Sequence, residues 1–517
     1  MAVFLVRVND TELPLRIRHK GLSHDQVHKL EKNWEISISA KKIKEVQTFC
    51  RKHRITFRSV PRSYDRIPHR RQIPQIKTDS GLWEKLYEYQ KRGVTEIITR
   101  LGCRALLGDE MGLGKSMQGI AFISHRLNLE GGERRVLLVC PSYLQIHWKS
   151  EIQKHLSIEA GIWEDKECPS NTVVVMPYSK LTNRPVDSII WDTIVADESH
   201  YIKTRNSQRT KAFIPLCHKC KALLLMSGTP CLNRPNELFT QMYAIRPQHC
   251  LSYHKFSERF CDAKRTRFGW TDTGSSNADE LHWLLKKEYM VRRLKRDVLT
   301  QLKPKTRYSV LLNIQSSKLN DLREIRSEMR TLGHSREDMV RRKALVSAAY
   351  RATAHAKAEE VSKYVNDRIE NTEEPFLVFA HHQVMLDTLE RSLNTDSYIR
   401  IDGNVSKEKR QEMVDRFQTG EVRVAILSIM AAGTGLTLTR SCTAIFAELY
   451  WCPGQLLQAE DRVHRVGQTN AVTIIYLLGS GTIDENIYSQ VTHKLKVLDN
   501  AVDNRKDRSM HAITKIF

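Results

Sequence analysis

The chain has 517 residues, of which 41 % are hydrophobic and 27 % charged, an ordinary globular composition. The length predicts about three domains. No apolar run approaches the ~18 residues of a membrane-spanning helix, and the first residues lack a basic segment followed by an apolar one, so we expect neither a membrane anchor nor a secretory signal. The eleven cysteines are too scattered for a disulfide scaffold. This favours an intracellular protein, nuclear if the source is eukaryotic and otherwise in the cytoplasm or nucleoid.

The charge is strongly basic, with 82 Lys and Arg against 59 Asp and Glu and a net charge of +23. Such an excess predicts a polyanionic partner, and nucleic acid is the usual one. An anionic membrane is the alternative, but the sequence has no basic amphipathic helix with an aromatic face. We therefore expect a nucleic-acid partner and no membrane.

The basic charge is concentrated at the amino terminus. Residues 1–80 contain 18 Lys and Arg against 8 Asp and Glu. We predict a small basic N-terminal module at 1–72, with a strand at 3–8 and a proline-punctuated linker at 73–80. A solvated surface and an accessory module that binds DNA are equally good interpretations of this charge.

From residue 81 onward, short apolar runs alternate with longer amphipathic stretches. Runs that are apolar on both faces and separated by helical stretches are typical of buried parallel strands. The first series predicts strands at 105–107, 136–139, 173–176, 193–196 and 223–226. The second series predicts strands at 376–380, 398–401, 424–428, 444–447 and 473–478.

Two such series predict an α/β fold with two lobes, each built on a parallel sheet. We assign residues 81–297 to lobe 1, which includes a helical protrusion. Residues 298–369 are predicted to form a helical linker or insertion, because they are rich in Lys, Arg and helix-forming residues. Residues 370–517 are assigned to lobe 2.

The first motif with chemical content is GDEMGLGKS at residues 108–116. A strand leads into a glycine-rich turn that opens a helix, where free backbone N–H groups favour anions. Gly112 and Gly114 allow close approach of a phosphate, Lys115 would reach the β- and γ-phosphates, and Ser116 would hold Mg²⁺. Asp109 stands where the common pattern has glycine. The alternative is a glycine-rich turn that binds nothing.

The second motif is TIVADESH at residues 193–200, where an apolar strand ends in two adjacent acids. Ligands bind at the carboxyl ends of strands in open α/β sheets. Asp197 suits Mg²⁺ coordination, and Glu198 suits the general base that orients the attacking water. The alternative is an exposed acidic pair at the end of a strand.

The third motif is AEDRVHRVGQ at residues 459–468, in the second lobe. Arg462 and Arg465 are three residues apart, so we expect them on one face of a helix. Two guanidinium groups directed across a cleft would stabilise charge on a transferring γ-phosphate. A pair of surface arginines is the alternative.

A weaker signal is SGTP at residues 227–230, which also follows a predicted strand. Its hydroxyls would couple the nucleotide cleft to a bound strand. A capped turn is an equally good interpretation.

The order of these motifs resembles that of the Swi/Snf-related DNA-translocating ATPases of helicase superfamily two. The resemblance covers roughly residues 81–500 and rests on GDEMGLGKS, PSYLQIHW, DESH, SGTP, FLVFAHH, AAGTGL and QAEDRVHRVGQ. Within that superfamily the chain is most similar to the branch of HepA-related (HARP) annealing helicases. The strings that indicate this branch are RFCDAKRTRFGW, GSSNADEL, YMVRRLKRDVLTQL and FAELYW.

The resemblance implies two RecA-like lobes with ATP and Mg²⁺ in the cleft between them. Gln90 matches the glutamine that reads adenine. The nucleotide-binding and catalytic residues that the family implies are Gln90, Gly112, Gly114, Lys115, Ser116, Asp197, Glu198, Arg462 and Arg465.

The resemblance also implies contacts to DNA. These are Ser142, Gln145, Trp148, Lys203, Ser207, His381, Gly433 and Gly435, the two glycines belonging to the motif that links DNA to the cleft. The chain departs from many relatives at residues 428–430, where Ser-Ile-Met replaces a serine-threonine-arginine string.

The function implied by the resemblance is an ATP-dependent translocase and annealing helicase. It would rewind unpaired strands and remodel forked or branched DNA in the repair of replication stress. Three alternatives stay open: a nucleosome or protein–DNA remodelling ATPase, a strand-separating helicase, and a catalytically inactive DNA-binding scaffold.

Overall fold

The computed structural model describes residues 75–503 apart from 132–133, 164–171, 183–185, 187–188, 267–268, 300, 334 and 431–437. It also describes residues 2–8, 11–18, 56–58 and 514–516. Gly433 and Gly435 therefore lie outside the described residues. Within this part of the chain, no helix is both long enough and apolar enough to cross a membrane.

The amino-terminal segment contains a three-stranded antiparallel sheet. Its strands are β1 (Ala2–Val8), β2 (Thr11–Arg18) and β3 (Thr56–Arg58), in the order β1-β2-β3. The first pair runs in register from Ala2 opposite Ile17 to Val8 opposite Thr11. The strand predicted at 3–8 is confirmed, and most of the predicted module at 1–72 lies outside the described residues.

Lobe 1 is built on a seven-stranded parallel sheet with the order β12-β4-β9-β8-β5-β7-β6. Its strands are β4 (Arg104–Leu107), β5 (Val136–Cys140), β6 (Gly161–Ile162), β7 (Val173–Pro177), β8 (Thr193–Asp197), β9 (Ala222–Met226) and β12 (Met290–Val291). The strands β10 (Lys264–Thr266) and β11 (Gly269–Thr271) form a separate antiparallel hairpin. All five strands predicted for this lobe are confirmed.

Helices cover both faces of this sheet, and a hydrophobic core lies on each side of it. The helices are α1 (Ser80–Glu84), α2 (Glu88–Thr99), α3 (Lys115–Leu127), α4 (Gln145–Leu156), α5 (Gln208–Lys219), α6 (Leu238–Ile245), α7 (Tyr253–Phe260), α8 (Ala278–Leu284) and α9 (Lys295–Val298). A π-helical turn, Leu285–Tyr289, joins α8 to the edge strand β12.

Lobe 2 has a second seven-stranded parallel sheet, with the order β15-β16-β14-β17-β18-β13-β19. Its strands are β13 (Lys305–Leu312), β14 (Phe376–Ala380), β15 (Tyr398–Ile401), β16 (Val424–Ser428), β17 (Thr443–Phe446), β18 (Val472–Gly479) and β19 (Thr514–Ile516). The five predicted strands are confirmed, and the two α/β lobes are those that the sequence predicts.

The prediction that residues 298–369 form a separate helical linker or insertion is wrong. β13 pairs in parallel with β18 along its whole length, so the sheet of lobe 2 begins near residue 305. A 36-residue helix follows and packs its apolar face into the core of the same lobe. The lobe 2 helices are α10 (Asn320–Thr331), α11 (Arg336–Asn371), α12 (Gln383–Ser392), α13 (Lys407–Thr419), α14 (Pro453–Glu460) and α15 (Asp484–Leu498).

The carboxyl end of α15 does not stay with lobe 2. It runs into a π-helical turn, Asp499–Asp503, and Leu498, Ala501 and Val502 are buried in a core cluster of lobe 1. The assignment of residues 370–517 to lobe 2 is therefore wrong for residues 498–503, because these side chains complete the apolar core of the other lobe, whereas β19 lies in the sheet of lobe 2.

Candidate active site

The glycine-rich loop runs from β4 to α3, the strand–turn–helix setting that a phosphate-binding loop requires. Gly112 and Gly114 have φ angles of +81° and +69°, in the left-handed region that favours glycine. A Cβ placed on Gly114 would lie 2.3 Å from Nε2 of Gln90. Both the backbone conformation and the close approach of Gln90 therefore require glycine at this turn.

Lys115 is the first residue of α3, and its ammonium group lies over the loop. Nζ donates to the backbone oxygen of Asp109 at 3.0 Å and reaches that of Glu110 at 3.4 Å. Burial lowers the pKa of Lys115, and the neighbouring carboxylates, Glu198 first, oppose that effect. A partly buried cation beside the first N–H groups of a helix makes this turn suited to an anionic ligand. Ser116 follows in the first turn of α3.

Gln90 lies in α2 and is buried against the same loop. Its Nε2 donates to the Leu113 carbonyl oxygen at 3.2 Å, and its Oε1 accepts from the Tyr87 backbone N–H at 3.0 Å. The Tyr89 hydroxyl also donates to Leu113 O, at 3.2 Å. Gln90 is therefore fixed beside the phosphate-binding turn, where the resemblance puts the adenine-reading residue.

Asp109, the departure from the common loop pattern, is fully buried in a network that sequence reasoning missed. Its Oδ1 accepts from the backbone N–H and Nε of Arg293, at 3.0 and 2.9 Å. Its Oδ2 accepts from Nε2 of Gln118 at 2.9 Å. The charge of Asp109 is thus neutralised by Arg293, from the segment after β12, and the loop is tied to that segment. The string VRRLK contains Arg293 but does not show that it pairs with Asp109.

The acidic pair lies at the carboxyl end of β8, close to Lys115. Asp197 Oδ2 accepts from the indole N–H of Trp148 at 3.0 Å, and Oδ1 accepts from the Glu198 N–H at 2.9 Å. Burial, reinforced by Glu198, raises the pKa of Asp197 to about 6. Glu198 is also buried, which raises its pKa, but the His200 hydrogen bond and the charges of Lys115 and Arg462 outweigh burial and hold the pKa of Glu198 below its usual value.

A chain of polar contacts runs from the acidic pair to lobe 2. His200 Nδ1 lies 3.1 Å from Glu198 Oε2 and 3.2 Å from the Ser227 hydroxyl. Ser227 accepts from the Thr229 backbone N–H at 3.2 Å, and the Thr229 hydroxyl accepts from Nε2 of Gln458 at 3.3 Å. The SGTP segment is therefore hydrogen-bonded on both sides, to the acidic motif of lobe 1 and to α14 of lobe 2.

Arg462 and Arg465 both reach the cleft, but not from a helical face as predicted. Helix α14 ends at Glu460, and the following turn contains a hydrogen bond from Arg462 N to Ala459 O at 3.1 Å. A Cβ on Gly112 would lie 2.9 Å from the Cβ of Arg465. Burial, and then Arg465, lowers the pKa of Arg462 to about 10, and Tyr143 and Glu198 oppose this. Both arginines therefore lie against the nucleotide motifs of lobe 1.

Buried cations hold the two acids at the end of this helix. Glu460 is paired with Lys305, at 2.7 Å from its Nζ, and with Arg307, at 2.6 Å from its Nη2, both on β13. Asp461 accepts from Nζ of Lys295 at 2.9 Å. These pairs fix the turn that carries the two arginines, and Lys295 joins that turn to lobe 1.

An open cavity of about 600 Å³ lies between the lobes. Lobe 1 contributes cationic and amide side chains, Lys203 and Asn233 among them, and lobe 2 contributes Tyr450 and Trp451. Lys203 is 3.1 Å from Glu237 Oε1. Ser207 caps the N-terminus of α5, and its hydroxyl accepts from the Thr210 N–H at 3.4 Å. Two of the predicted DNA contacts are thus found at or near this cavity.

The remaining predicted DNA contacts divide into two groups. Ser142 is exposed, Gln145 is half-buried, and His381 lies at the end of β14 with its ring centroid 4.8 Å from that of Tyr450. Trp148 is wrong as a DNA contact, because its side chain is fully buried and its N–H is donated to Asp197. It supports the acidic pair instead.

Comparison with known proteins agrees with this geometry. Residues 89–361, just over half of the chain, match the SNF2-related domain. The chain belongs to the SNF2-related family. Residues 356–467 match the helicase conserved C-terminal domain. The resemblance drawn from the motifs is therefore confirmed.

Two curated relatives match this SNF2-related chain at the same level of identity. The Xenopus tropicalis SWI/SNF-related matrix-associated actin-dependent regulator of chromatin subfamily A-like protein 1 is 37 % identical over 84 % of this chain and 47 % of its own length. The human DNA annealing helicase and endonuclease ZRANB3 is 37 % identical over 82 % of this chain and 41 % of its own length. The chain thus spans about half the length of these relatives. A solved structure, the Sulfolobus solfataricus SWI2/SNF2 ATPase core in complex with dsDNA, is 22 % identical over 84 % of this chain and 96 % of that chain, with a TM-score of 0.40.

Proposed function

We propose that this SNF2-related chain is a DNA-dependent ATPase that moves along duplex DNA and rewinds unpaired strands at forked or branched DNA. The observation that carries the proposal is the meeting of both lobes at one loop, where Arg465 of lobe 2 packs on Gly112 of lobe 1. An annealing helicase among the relatives supports the same activity. If the source is eukaryotic, as these relatives are, we propose a nuclear location.

ATP is the proposed fuel, bound by Gln90, Gly112, Gly114, Lys115 and Ser116. Mg²⁺ fits the residues present: the Ser116 hydroxyl and the Asp197 carboxylate are oxygen donors of the kind that Mg²⁺ prefers. Each Asp197 oxygen accepts one hydrogen bond and keeps a second lone pair. Bound there, the ion would neutralise phosphate charge.

Glu198 is the proposed general base. Its depressed pKa keeps the carboxylate ionised, which is the form that orients the attacking water. His200 holds its Oε2 oxygen, so the base has a defined orientation. Arg462 and Arg465 are proposed to stabilise the charge that develops on the transferring phosphoryl group, as arginine fingers do.

DNA is proposed to bind along Ser142, Gln145, Lys203, Ser207 and His381, with Gly433 and Gly435 linking DNA to the cleft. Contacts of this kind to the backbone carry no base sequence, so the chain should recognise DNA structure rather than sequence. Closing and opening of the cleft with each ATP would alternate the grip of the two lobes on the backbone.

The first experiment replaces Lys115 by Ala and Glu198 by Gln. Lys115→Ala removes the phosphate-binding cation, and Glu198→Gln removes the base without changing side-chain shape. We expect each to reduce DNA-stimulated ATP hydrolysis by about 10²-fold or more while DNA affinity stays within about threefold. Exposed Lys363→Ala is the matched control. Unchanged turnover in either variant would refute the assigned role.

The second experiment compares ATPase stimulation by single-stranded, duplex and forked DNA, alongside rewinding of an unpaired duplex. We expect forked DNA to stimulate best and rewinding to require ATP. Stimulation by nucleosomes beyond that by naked DNA would indicate a remodelling ATPase instead. DNA binding with no ATP turnover would indicate an inactive scaffold.

A further inference from the structure

The hairpin formed by β10 and β11 stands apart from both large sheets. Its register places Lys264 opposite Thr271, Arg265 opposite Trp270 and Thr266 opposite Gly269. Residues opposite each other in an antiparallel pair share one face, so Arg265 and Trp270 are neighbours. Trp270 is 43 % exposed, although tryptophan is among the side chains that gain most from burial.

The base of the hairpin is rigidly held even though its strands are exposed. The Asp262 N–H donates to the Ser276 hydroxyl at 3.1 Å, which closes the stem on one side of the loop. Nδ2 of Asn277 donates to the Arg259 carbonyl oxygen at 2.6 Å. An isolated two-stranded hairpin is marginally stable in water, so these anchors hold an exposed aromatic at a fixed place.

The same base contacts two residues that line the interlobe cavity. Asp272, directly after β11, accepts from the Tyr253 hydroxyl and from Nδ2 of Asn236, and both of these residues line the cavity. The guanidinium of Arg205, which also lines it, lies 4.3 Å from the centroid of the Tyr253 ring. The hairpin therefore rises beside the cavity that is lined by Lys203, one of the proposed DNA contacts.

The side chains of the hairpin match the chemistry of an unpaired nucleotide. The ring of His254 stacks on that of Trp270, with centroids 4.5 Å apart, and the indole remains partly open to solvent. Lys264 pairs with Asp262 at 2.8 Å, an exposed contact that a phosphate can replace at little cost. Cations beside an aromatic platform are the usual means of binding single strands.

We propose that the β10–β11 hairpin is a branch-point contact in which Trp270 stacks on an unpaired base, Arg265 binds the adjoining phosphate from the same face, and Lys264, on the opposite face, binds a further phosphate of that strand. Fully paired DNA offers phosphates to these cations, but its base faces are already stacked inside the duplex. Trp270 therefore adds affinity only where strands separate. This inference rests on the proposed function, because that function puts duplex DNA at Lys203, in the adjacent interlobe cavity.

The test compares Trp270→Ala and Trp270→Phe with the wild-type chain in equilibrium binding to a forked DNA and to a blunt duplex of equal length. A 2-aminopurine at the branch point reports stacking directly. We expect Trp270→Ala to weaken binding to the fork about five- to twentyfold and to the duplex less than twofold, with loss of the 2-aminopurine signal change. Trp270→Phe should restore most of both. Equal weakening on both DNAs, or an unchanged 2-aminopurine response, would overturn the proposal.

The cations are tested by their salt dependence. Replacing Lys264 and Arg265 together by Ala should lower the slope of log affinity against log salt on the fork by about 2, one for each lost phosphate contact. Lys363→Ala is the matched control, since Lys363 is as exposed as Lys264 and is also paired with an acid. An unchanged slope in the double variant would refute the phosphate contacts.

Measuring ATPase stimulation distinguishes failure of the proposed hairpin contact from failure of the proposed function. If duplex DNA stimulates the wild-type chain while Trp270→Ala binds the fork normally, only the branch-point contact is refuted. If no DNA stimulates the wild-type chain, the proposed function is refuted, whatever the binding results.

Discussion

Single residues in the cleft act through the charges packed around them. His464 is an example: its ring is buried beside Lys295 and Lys305, and its Nε2–H donates to the Lys303 carbonyl oxygen at 3.0 Å. Burial, followed by the two lysines, lowers the pKa of His464 to about 4. The neutral imidazole is therefore the form that fits the folded cleft.

This shift predicts an acid sensitivity with a definite sign. The unfolded chain binds a proton at His464 near pH 6.5, whereas the folded chain resists it down to about pH 4. Stability from the neutral ring is thus present above pH 6.5 and lost as the pH falls toward 4. We expect His464→Gln to show a smaller decrease in urea midpoint between pH 6.5 and 4.5 than the wild-type chain. Identical pH profiles would contradict the assignment.

The sequence predicts which residues carry the chemistry better than how they are supported. Lys115, the acidic pair and the two arginines are brought together, because strand ends and glycine-rich turns meet at one edge of a parallel sheet. The roles of Trp148 and Arg293 are not predictable in this way, because a tryptophan or arginine in a motif does not reveal whether it faces solvent or a buried carboxylate.

Among the elements, the longer runs of mostly apolar residues are predictable as strands, and β13 is not. Its sequence KTRYSVLL begins with charged residues, which argues against a buried strand. In the structure Lys305 and Arg307 point to the buried Glu460, so their charges are paired inside the protein. The contact joins the start of β13 to the end of α14, which lies far away in sequence, and periodicity cannot detect it.

The ion pairs between β13 and Glu460 of α14 predict how much stability is lost when one of them is removed. Arg307→Met leaves Glu460 with Lys305 and the Tyr476 hydroxyl, so the loss should approach but not exceed the ~3–5 kcal/mol that removal of a sole buried partner costs. We expect a corresponding loss in the free energy of unfolding by denaturant. ATPase activity should decrease as well, because the turn that carries Arg462 and Arg465 follows Glu460 directly.

The control for this prediction is an exposed ion pair in the same lobe. Lys318→Met removes the partner of Glu359, and surface pairs contribute about 0–1 kcal/mol. If Arg307→Met proved as mild as Lys318→Met, the pair on β13 would not be what holds α14 in place.

At the scale of the whole molecule, the lobes are connected by more than the chain between β12 and β13. The turn Asp499–Asp503 at the end of α15 docks on lobe 1, where Nη2 of Arg292 lies 3.0 Å from Asp503 Oδ2. His282 Nδ1 is 2.7 Å from the Val502 carbonyl oxygen. Arg292 also donates to the backbone oxygen of Gly108, at the start of the phosphate-binding loop. Arg292 therefore contacts both the turn after α15 and the nucleotide loop of lobe 1.

Because Arg292 contacts both segments, we expect docking of the turn Asp499–Asp503 on lobe 1 to be coupled to nucleotide binding. Asp503→Asn keeps the shape of the side chain but removes its charge, which weakens a buried charged hydrogen bond by about 1–3 kcal/mol. We expect faster hydrogen exchange in residues 484–503, unchanged exchange in β5, and a higher KM for ATP, since Arg292 is no longer held against Gly108. The same exchange pattern should follow from Arg292→Met, and the two changes together should cost less than their sum, because they remove one contact. Strictly additive effects would mean that Asp503 and Arg292 act on the two lobes independently.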